Sequence, residues 1–195
     1  LSDLIVSSIP TSHLESGEVF VVYGTDLPIN PAQMQIQSIA GLQFSGANPQ
    51  DNLGTDIVTV GDLDGDGDDE FMVTAPGVNS TQGAAYLVPG FYEVFGTYVI
   101  EDSFSTAVTP NATSAVRFLG GPEDAVRSVG GVGDLNNDGE MDILVGAPGH
   151  KNGSYSQAGA AYVLYGGAAF WGDDGVGTEL LNEHAVGDTE GKRTS

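Results

Sequence analysis

Two short segments of the chain carry oxygen-bearing side chains at the spacing of a cation-binding loop. In the first segment acids occupy positions one, three, five and nine and glycine occupies position six, which gives Asp62, Asp64, Asp66, Glu70 and Gly67. Alternate residues of a tightly curled loop turn toward one centre, and glycine permits the sharp turn that brings in the backbone carbonyl of Asp68 at position seven. Hard oxygen ligands in this number suit Ca²⁺, so the segment is a predicted calcium loop.

The second segment repeats this pattern later in the chain. Its predicted ligands are the side chains of Asp134, Asn136, Asp138 and Asp142 and the backbone carbonyl of Glu140, with Gly139 at position six. Two such loops, each crowding carboxylates that would repel one another without a cation, predict about two bound Ca²⁺ ions. Mg²⁺ fits less well because it prefers a rigid octahedron with retained water, and metal-free acidic β-turns are the remaining alternative.

Both segments open as an EF-hand loop does, but they do not continue as one. An EF-hand places glutamate at position twelve and a helix on each side. Position twelve is Val73 in the first segment and Val145 in the second, and the residues after position nine have the composition of strands. The EF-hand interpretation is therefore excluded, and the loops must be positioned by β-structure.

The same order of sequence features occurs in three units along the chain. The acidic loop occurs in only two of them because the first unit is shortened and begins after the position of the loop. In each unit a short apolar run leads to proline, and a second apolar segment that begins with glycine follows. The matching segments are 59–76 with 83–90, 131–148 with 159–166 and, in a shortened first unit, 3–9 with 17–24. A chain that opens in mid-repeat is expected to be part of a larger protein, or else a unit whose open sheet edges are covered by further copies.

The apolar runs are short, rich in Val, Ile, Tyr and Phe, and bounded by turn residues, as strands are. They predict strands at 57–60, 71–74, 84–88 and 97–100 in the middle unit and at 128–132, 143–145, 160–165 and 179–181 in the third, with no convincing helix. Four-stranded units in series predict an all-β fold of β-propeller blades, about two complete and one partial, with a β-sandwich as the alternative. The corresponding divisions are a partial repeat at 1–45, complete repeats at 46–110 and 111–183, and a polar tail at 184–195.

Charge restricts the possible partners. Five Lys and Arg face 27 Asp and Glu, which gives a formal net charge of −22. Nucleic acid is excluded as a partner because phosphates require a basic surface, and anionic membrane surfaces are disfavoured for the same reason. The chain has no apolar run long enough to span a bilayer, so direct membrane insertion is not expected, and the absence of cysteine excludes disulfides.

These segments resemble the FG-GAP repeats of the integrin α-subunit β-propeller family. The family's loop, Asp-x-Asp-x-Asp-Gly-x-x-Asp, is matched by 134–142 with an amide at its third position, and Gly-Ala-Pro follows at 146–148. The middle repeat has Glu70 for the last Asp, Thr-Ala-Pro at 74–76, and Leu-Gly at 53–54 where Phe-Gly is usual. The resemblance implies a propeller of usually seven blades, calcium on loops between the first two strands of a blade, and adhesion or ligand recognition outside the cell.

Three Asn-x-Ser/Thr sequons occur, at Asn79, Asn111 and Asn152. Two of them lie between the proline turn and the following strand in successive repeats, so their placement on an exposed turn is expected to be equivalent. The sequons predict N-glycosylation if the protein passes through a glycosylating secretory route, and chance occurrence in polar loops is the alternative.

Together these features predict a calcium-binding extracellular module of adhesion or assembly, secreted or at the cell surface, whose partners are protein or glycan ligands or further copies of itself. Enzymatic activity is not expected, because His13, His150 and His184 are far apart in sequence and adjoin no nucleophile motif. The alternatives are a self-assembling extracellular fibre subunit and the non-catalytic part of a propeller-containing hydrolase.

Overall fold

The computed structural model describes residues 3–9, 11–12, 14–24, 35–63, 67–90, 96–100, 115–166 and 178–180. These residues include twelve strands and a 3-10 turn at Ile36–Ser38. The strands are β1 (Leu4–Ser8), β2 (Glu18–Val22), β3 (Leu42–Gly46), β4 (Ile57–Gly61), β5 (Glu70–Ala75), β6 (Ala84–Val88), β7 (Gly96–Ile100), β8 (Val116–Leu119), β9 (Ser128–Gly133), β10 (Asp142–Ala147), β11 (Ala160–Leu164) and β12 (Thr178–Leu180). The predicted all-β fold, with almost no helix, is confirmed.

The strands form three separate sheets. The first has the order β1-β2-β3-β7, the second β12-β8-β6-β5-β4 and the third β11-β10-β9. Neighbours within each sheet are antiparallel except β3 with β7 and β8 with β12, which are parallel. Each sheet therefore contains an antiparallel meander, which is the form expected of FG-GAP β-propeller blades.

The fourth strands of the two complete units were assigned wrongly from the sequence. Strands occur near 97–100 and 179–181, as β7 and β12, but each pairs in parallel with the sheet that precedes it. The fourth antiparallel strand of the second sheet is instead β8, which pairs with β6, and β3 has the same place in the first sheet. Apolar composition marks a strand but not its partner, and a parallel partner has to be reached through a long connection that leaves no local signal.

The second sheet is packed between the other two. Alternate residues of β6 contribute to different hydrophobic clusters, because Ala84 and Tyr86 belong to the cluster shared with the first sheet, whereas Ala85 and Leu87 belong to the cluster shared with the third. All residues of β5 and β6 are consequently buried. The predicted burial of both faces against neighbouring sheets is confirmed for this sheet, and three stacked sheets are incompatible with a two-sheet β-sandwich.

A polar junction joins the second sheet to the third. The hydroxyl of the fully buried Thr74 accepts a hydrogen bond from the backbone N–H of Asp56 at 3.0 Å and donates one to the carbonyl oxygen of Arg127 at 3.1 Å. The carboxylate of Asp56 accepts a further bond from the backbone N–H of Val129 at 3.0 Å. These bonds position β9 relative to β4 and β5, and thereby position the second acidic loop relative to the first.

Replacing Thr74 with valine tests this junction. The substitution T74V preserves shape but leaves the N–H of Asp56 and the carbonyl of Arg127 each without a hydrogen bond, which is expected to reduce the free energy of unfolding by about 1–3 kcal/mol. Denaturant unfolding provides the measurement. The control is T59V at an exposed position of β4, where a change of less than about 0.5 kcal/mol is expected. Equal stability of the two variants would contradict the proposed importance of the junction.

Candidate calcium loops

Both acidic loops lie at the same edge of their sheets. The first joins β4 to β5 and the second joins β9 to β10, and in each hairpin the strand register shifts next to the loop. Gly61 and Gly133, which precede the loops, have φ values of 80° and 77°, and the position-six glycines Gly67 and Gly139 have values of 99° and 97°. The predicted need for glycine at position six is confirmed, because side chains rarely adopt this left-handed conformation.

The second loop turns its polar side chains toward a common centre. The backbone N–H of Asp138 donates to Asp134 Oδ1 and to Asn136 Oδ1, each at 3.1 Å. Asp134 Oδ2 accepts the N–H of Gly139 at 2.9 Å, and Asn136 Nδ2 donates to Asp138 Oδ2 at 2.7 Å. The side chains at positions one, three and five therefore meet within a single turn of exposed backbone.

Hydrogen bonding stabilises the ionised form of one of these carboxylates. The backbone N–H of Glu140 donates to Asp138 Oδ1 at 2.9 Å, and this bond, followed by the one from Asn136, lowers the pKa of Asp138. Donors aimed at a carboxylate favour its ionised form, which is also the form that binds a cation.

In the first loop the described residues follow the same plan. The N–H of Gly67 donates to Asp62 Oδ2 at 3.1 Å, which matches the bond from Gly139 to Asp134 in the second loop. Asp64 and Asp66, predicted at positions three and five, lie outside the described residues. The first loop therefore shares with the second the anchoring of its position-one carboxylate on the position-six amide.

The acids at position nine are placed differently from the other predicted ligands. Glu70 and Asp142 are each 0% exposed. Glu70 accepts the N–H of Leu63 at 2.6 Å and that of Gly90 at 2.8 Å, each on a separate oxygen. Asp142 accepts the equivalent N–H groups, from Leu135 at 2.6 Å and from Gly166 at 3.0 Å. The acidic motif does not indicate these bonds. The signal in the sequence that could have indicated them is the glycine shortly after the third strand of each complete unit, Gly90 or Gly166.

The chemistry of the donors fits a hard cation. The second loop offers carboxylate and amide oxygens without sulfur or imidazole, which suits Ca²⁺ and not Zn²⁺. Within the described ranges, no three His, Cys, Asp or Glu side chains are arranged to hold a metal ion. In the second loop Asp134 and Asp138 converge with an amide, while the oxygens of Asp142 accept backbone N–H groups and retain a lone pair each.

Two of the three sequons lie at the opposite edge of the sheets. Asn79 and Asn152 are exposed and occupy the turns that follow β5 and β10, whereas the acidic loops precede these strands. Asn79 has a φ of 49° and donates to the side chain of Gln82 at 2.8 Å. Asn152 forms two backbone hydrogen bonds with Tyr155, at 3.0 and 3.1 Å. Asn111 lies outside the described residues.

A second polar cluster, which the sequence did not predict, lies near the Asn152 turn. Asp124, 3% exposed, accepts the hydroxyl of Tyr162 at 3.1 Å and lies 2.8 Å from His150 Nδ1. Burial, together with the charge and hydrogen bond of Asp124, raises the pKa of Tyr162 to about 12. The cluster ties the turn after β10 to the loop before β9. His13 and His184, the other histidines, lie outside the described residues.

Comparison with known proteins identifies the repeated unit. Residues 54–88 and 126–164 match the family model of the FG-GAP repeat. The chain carries two FG-GAP repeats. Each match contains one acidic loop with the strands on either side of it, so the loops belong to the defining part of the repeat.

The chain is similar to parts of much longer proteins. It is 26% identical over 174 residues to human phosphatidylinositol-glycan-specific phospholipase D, covering 87% of the chain and 19% of that protein. The bovine protein of the same name is 27% identical over 195 residues, covering 96% of the chain and 22% of that protein. Mouse integrin alpha-M is 27% identical over 124 residues, covering 64% of the chain and 10% of that protein. The chain thus spans about a fifth of the length of the phospholipases. The described part of the chain contains no helix suited to crossing a membrane.

Proposed function

We propose that the chain is a calcium-binding FG-GAP module in which one Ca²⁺ ion occupies each acidic loop. The supporting observation is the convergence of Asp134, Asn136 and Asp138 on one turn of backbone, with two side-chain oxygens 3.1 Å from the same nitrogen. These three side chains and the carbonyl of Glu140 would hold the ion in the second loop. In the first loop the ion would be held by Asp62, Asp64, Asp66 and the carbonyl of Asp68. The acids at position nine, Glu70 and Asp142, would be further ligands of the first and second ion.

Calcium would act on this module as a structural ion. A bound cation offsets the repulsion between neighbouring carboxylates, which otherwise favours an opened loop. Because the ligands converge only in the folded hairpin, Ca²⁺ binds the native state in preference to the unfolded chain and raises stability in proportion to the logarithm of its concentration. The two loops would thereby become rigid at one edge of the sheets.

Replacing Asp138 with asparagine tests the second site. The variant D138N keeps the size of the side chain but removes one of the charges that bind the cation, so the affinity of that loop for Ca²⁺ is expected to fall on the order of tenfold or more. Isothermal titration calorimetry of the chelator-stripped chain measures it. The matched control is E140Q, an acid-to-amide change at an exposed residue whose carbonyl, and not its side chain, is the proposed ligand. Equal affinities in D138N, E140Q and the parent chain would contradict the site.

We place the module outside the cell, secreted or at the cell surface, in adhesion or assembly. Three features favour this role: the similarity to integrin alpha-M, the net charge of −22, and acidic loops that share an exposed edge where a bound ion would be accessible to a partner. Protein or glycan ligands, or further copies of the chain, are the proposed partners. A self-assembling fibre subunit is a variant of this role, and electron microscopy of the purified chain distinguishes it.

The alternative is a non-catalytic part of a larger hydrolase. It is favoured by the similarity to phosphatidylinositol-glycan-specific phospholipase D, which covers 87% of the chain. In both cases we propose that the chain itself is not the catalyst. Hydrolysis of a phosphatidylinositol-glycan substrate by the isolated chain would contradict this proposal.

The placement of the sequons generates a further prediction. If Asn79 and Asn152 accept N-glycans, the glycans would occupy the edge opposite the calcium loops and leave those loops free for a partner. Expression of the chain in secreting eukaryotic cells is expected to yield a mass that falls on treatment with an N-glycosidase, and N79Q and N152Q are each expected to remove one glycan from the intact mass. An unmodified mass for the secreted parent chain would contradict the prediction.

A further inference from the structure

A carboxylate bound to a glycine N–H recurs in all three units. Asp3 accepts the N–H of Gly24 at 2.8 Å, Glu70 accepts that of Gly90 at 2.8 Å, and Asp142 accepts that of Gly166 at 3.0 Å. In the two complete units the acid is the first residue of β5 or β10 and the glycine follows β6 or β11. In the shortened first unit Asp3 directly precedes β1 and Gly24 follows β2. The bond therefore closes the end of the same hairpin in every unit.

In the two complete units the same acid also holds the loop. The second oxygen of Glu70 accepts the N–H of Leu63, and that of Asp142 accepts the N–H of Leu135, both at 2.6 Å. Leu63 and Leu135 occupy position two of their loops, directly after the position-one acid. A fully buried carboxylate is costly unless it is hydrogen-bonded, and two charge-assisted bonds, one to each oxygen, offset that cost.

The partner glycines leave room for the loop to pack. A Cβ atom on Gly166 would lie 2.1 Å from the carbonyl oxygen of Met141, and one on Gly90 would lie 2.6 Å from the Cβ of Asp68. The end of each acidic loop thus lies directly against the backbone that follows the third strand. Side chains at these two positions would push the loop away from the carboxylate.

We propose that Glu70 and Asp142 are positioning residues that clamp each acidic loop to the end of the third strand whether or not a metal ion is bound. The clamp fixes the loop residue beside the position-one acid, and so presets the direction of that ligand before a cation arrives. The clamp itself follows from contacts present without metal, and only its effect on calcium affinity rests on the proposed function.

An isosteric amide cannot replace this carboxylate. Both oxygens of Asp142 face N–H donors, so in D142N the amide oxygen retains one of these bonds while the NH₂ group is directed at the other donor. Glutamate can replace it, because Glu70 makes the equivalent pair of bonds in the first loop. D142E is therefore the matched conservative variant, and E15Q, an acid-to-amide change at an exposed residue outside both loops, is the control.

The experiment measures thermal unfolding of the full chain in excess chelator. D142N is expected to lower the melting temperature by about 5–10 °C, since it disrupts a buried hydrogen-bonded charge in a chain of this size. D142E is expected to recover at least half of that loss, and E15Q to stay within about 1 °C of the parent chain. A melting temperature of D142N equal to that of E15Q in chelator would overturn the clamp.

A second measurement uses the parent chain and does not depend on the folding of any variant. In chelator, the clamped amides of Leu135 and Gly166 are expected to exchange with deuterium at least tenfold more slowly than the exposed loop amide of Asn137. Equal exchange rates would overturn the clamp. If D142N is destabilised in chelator but no variant and no parent sample binds Ca²⁺, the clamp stands and the proposed function fails; the two outcomes are therefore separable.

Discussion

Repulsion between neighbouring carboxylates is the constraint on which the arrangement of the acidic loops depends. In the second loop Asp134, Asp138 and Asp142 lie within nine residues, in a chain of net charge −22. The fold directs backbone N–H groups at these oxygens, at distances from 2.6 to 3.1 Å. Amide donors thus supply part of the positive potential that the acids require, and a divalent cation would supply the rest.

The sheets determine where the acidic loops and the amide donors around them lie in the fold. A register shift beside each loop and left-handed glycines at Gly67 and Gly139 curl the backbone at one edge. Packing of the second sheet between the others, with the Thr74 and Asp56 junction, sets the two loops at corresponding places in successive sheets. The edge that bears the loops and the edge that bears Asn79 and Asn152 are therefore separated by the length of the strands.

Much of this organisation could be predicted from the sequence because it is local. Strand composition, turn residues and the repeat predicted the all-β units, and the position-six glycine predicted the turn of each loop. Partners that are distant in sequence could not be predicted: β7 and β12 join the preceding sheets, and Asp124 meets Tyr162 only after folding. The motif also presented Glu70 and Asp142 only as ligands, since their amide partners follow a different strand.

The stoichiometry of calcium binding tests the central claim most directly. Native mass spectrometry of the full chain, first stripped with chelator and then exchanged into millimolar Ca²⁺, counts the bound ions without any variant. Two FG-GAP loops that each hold one ion predict a main species with two calcium ions, which returns to the metal-free mass on renewed chelation. A folded chain that retains no calcium under these conditions would contradict the account.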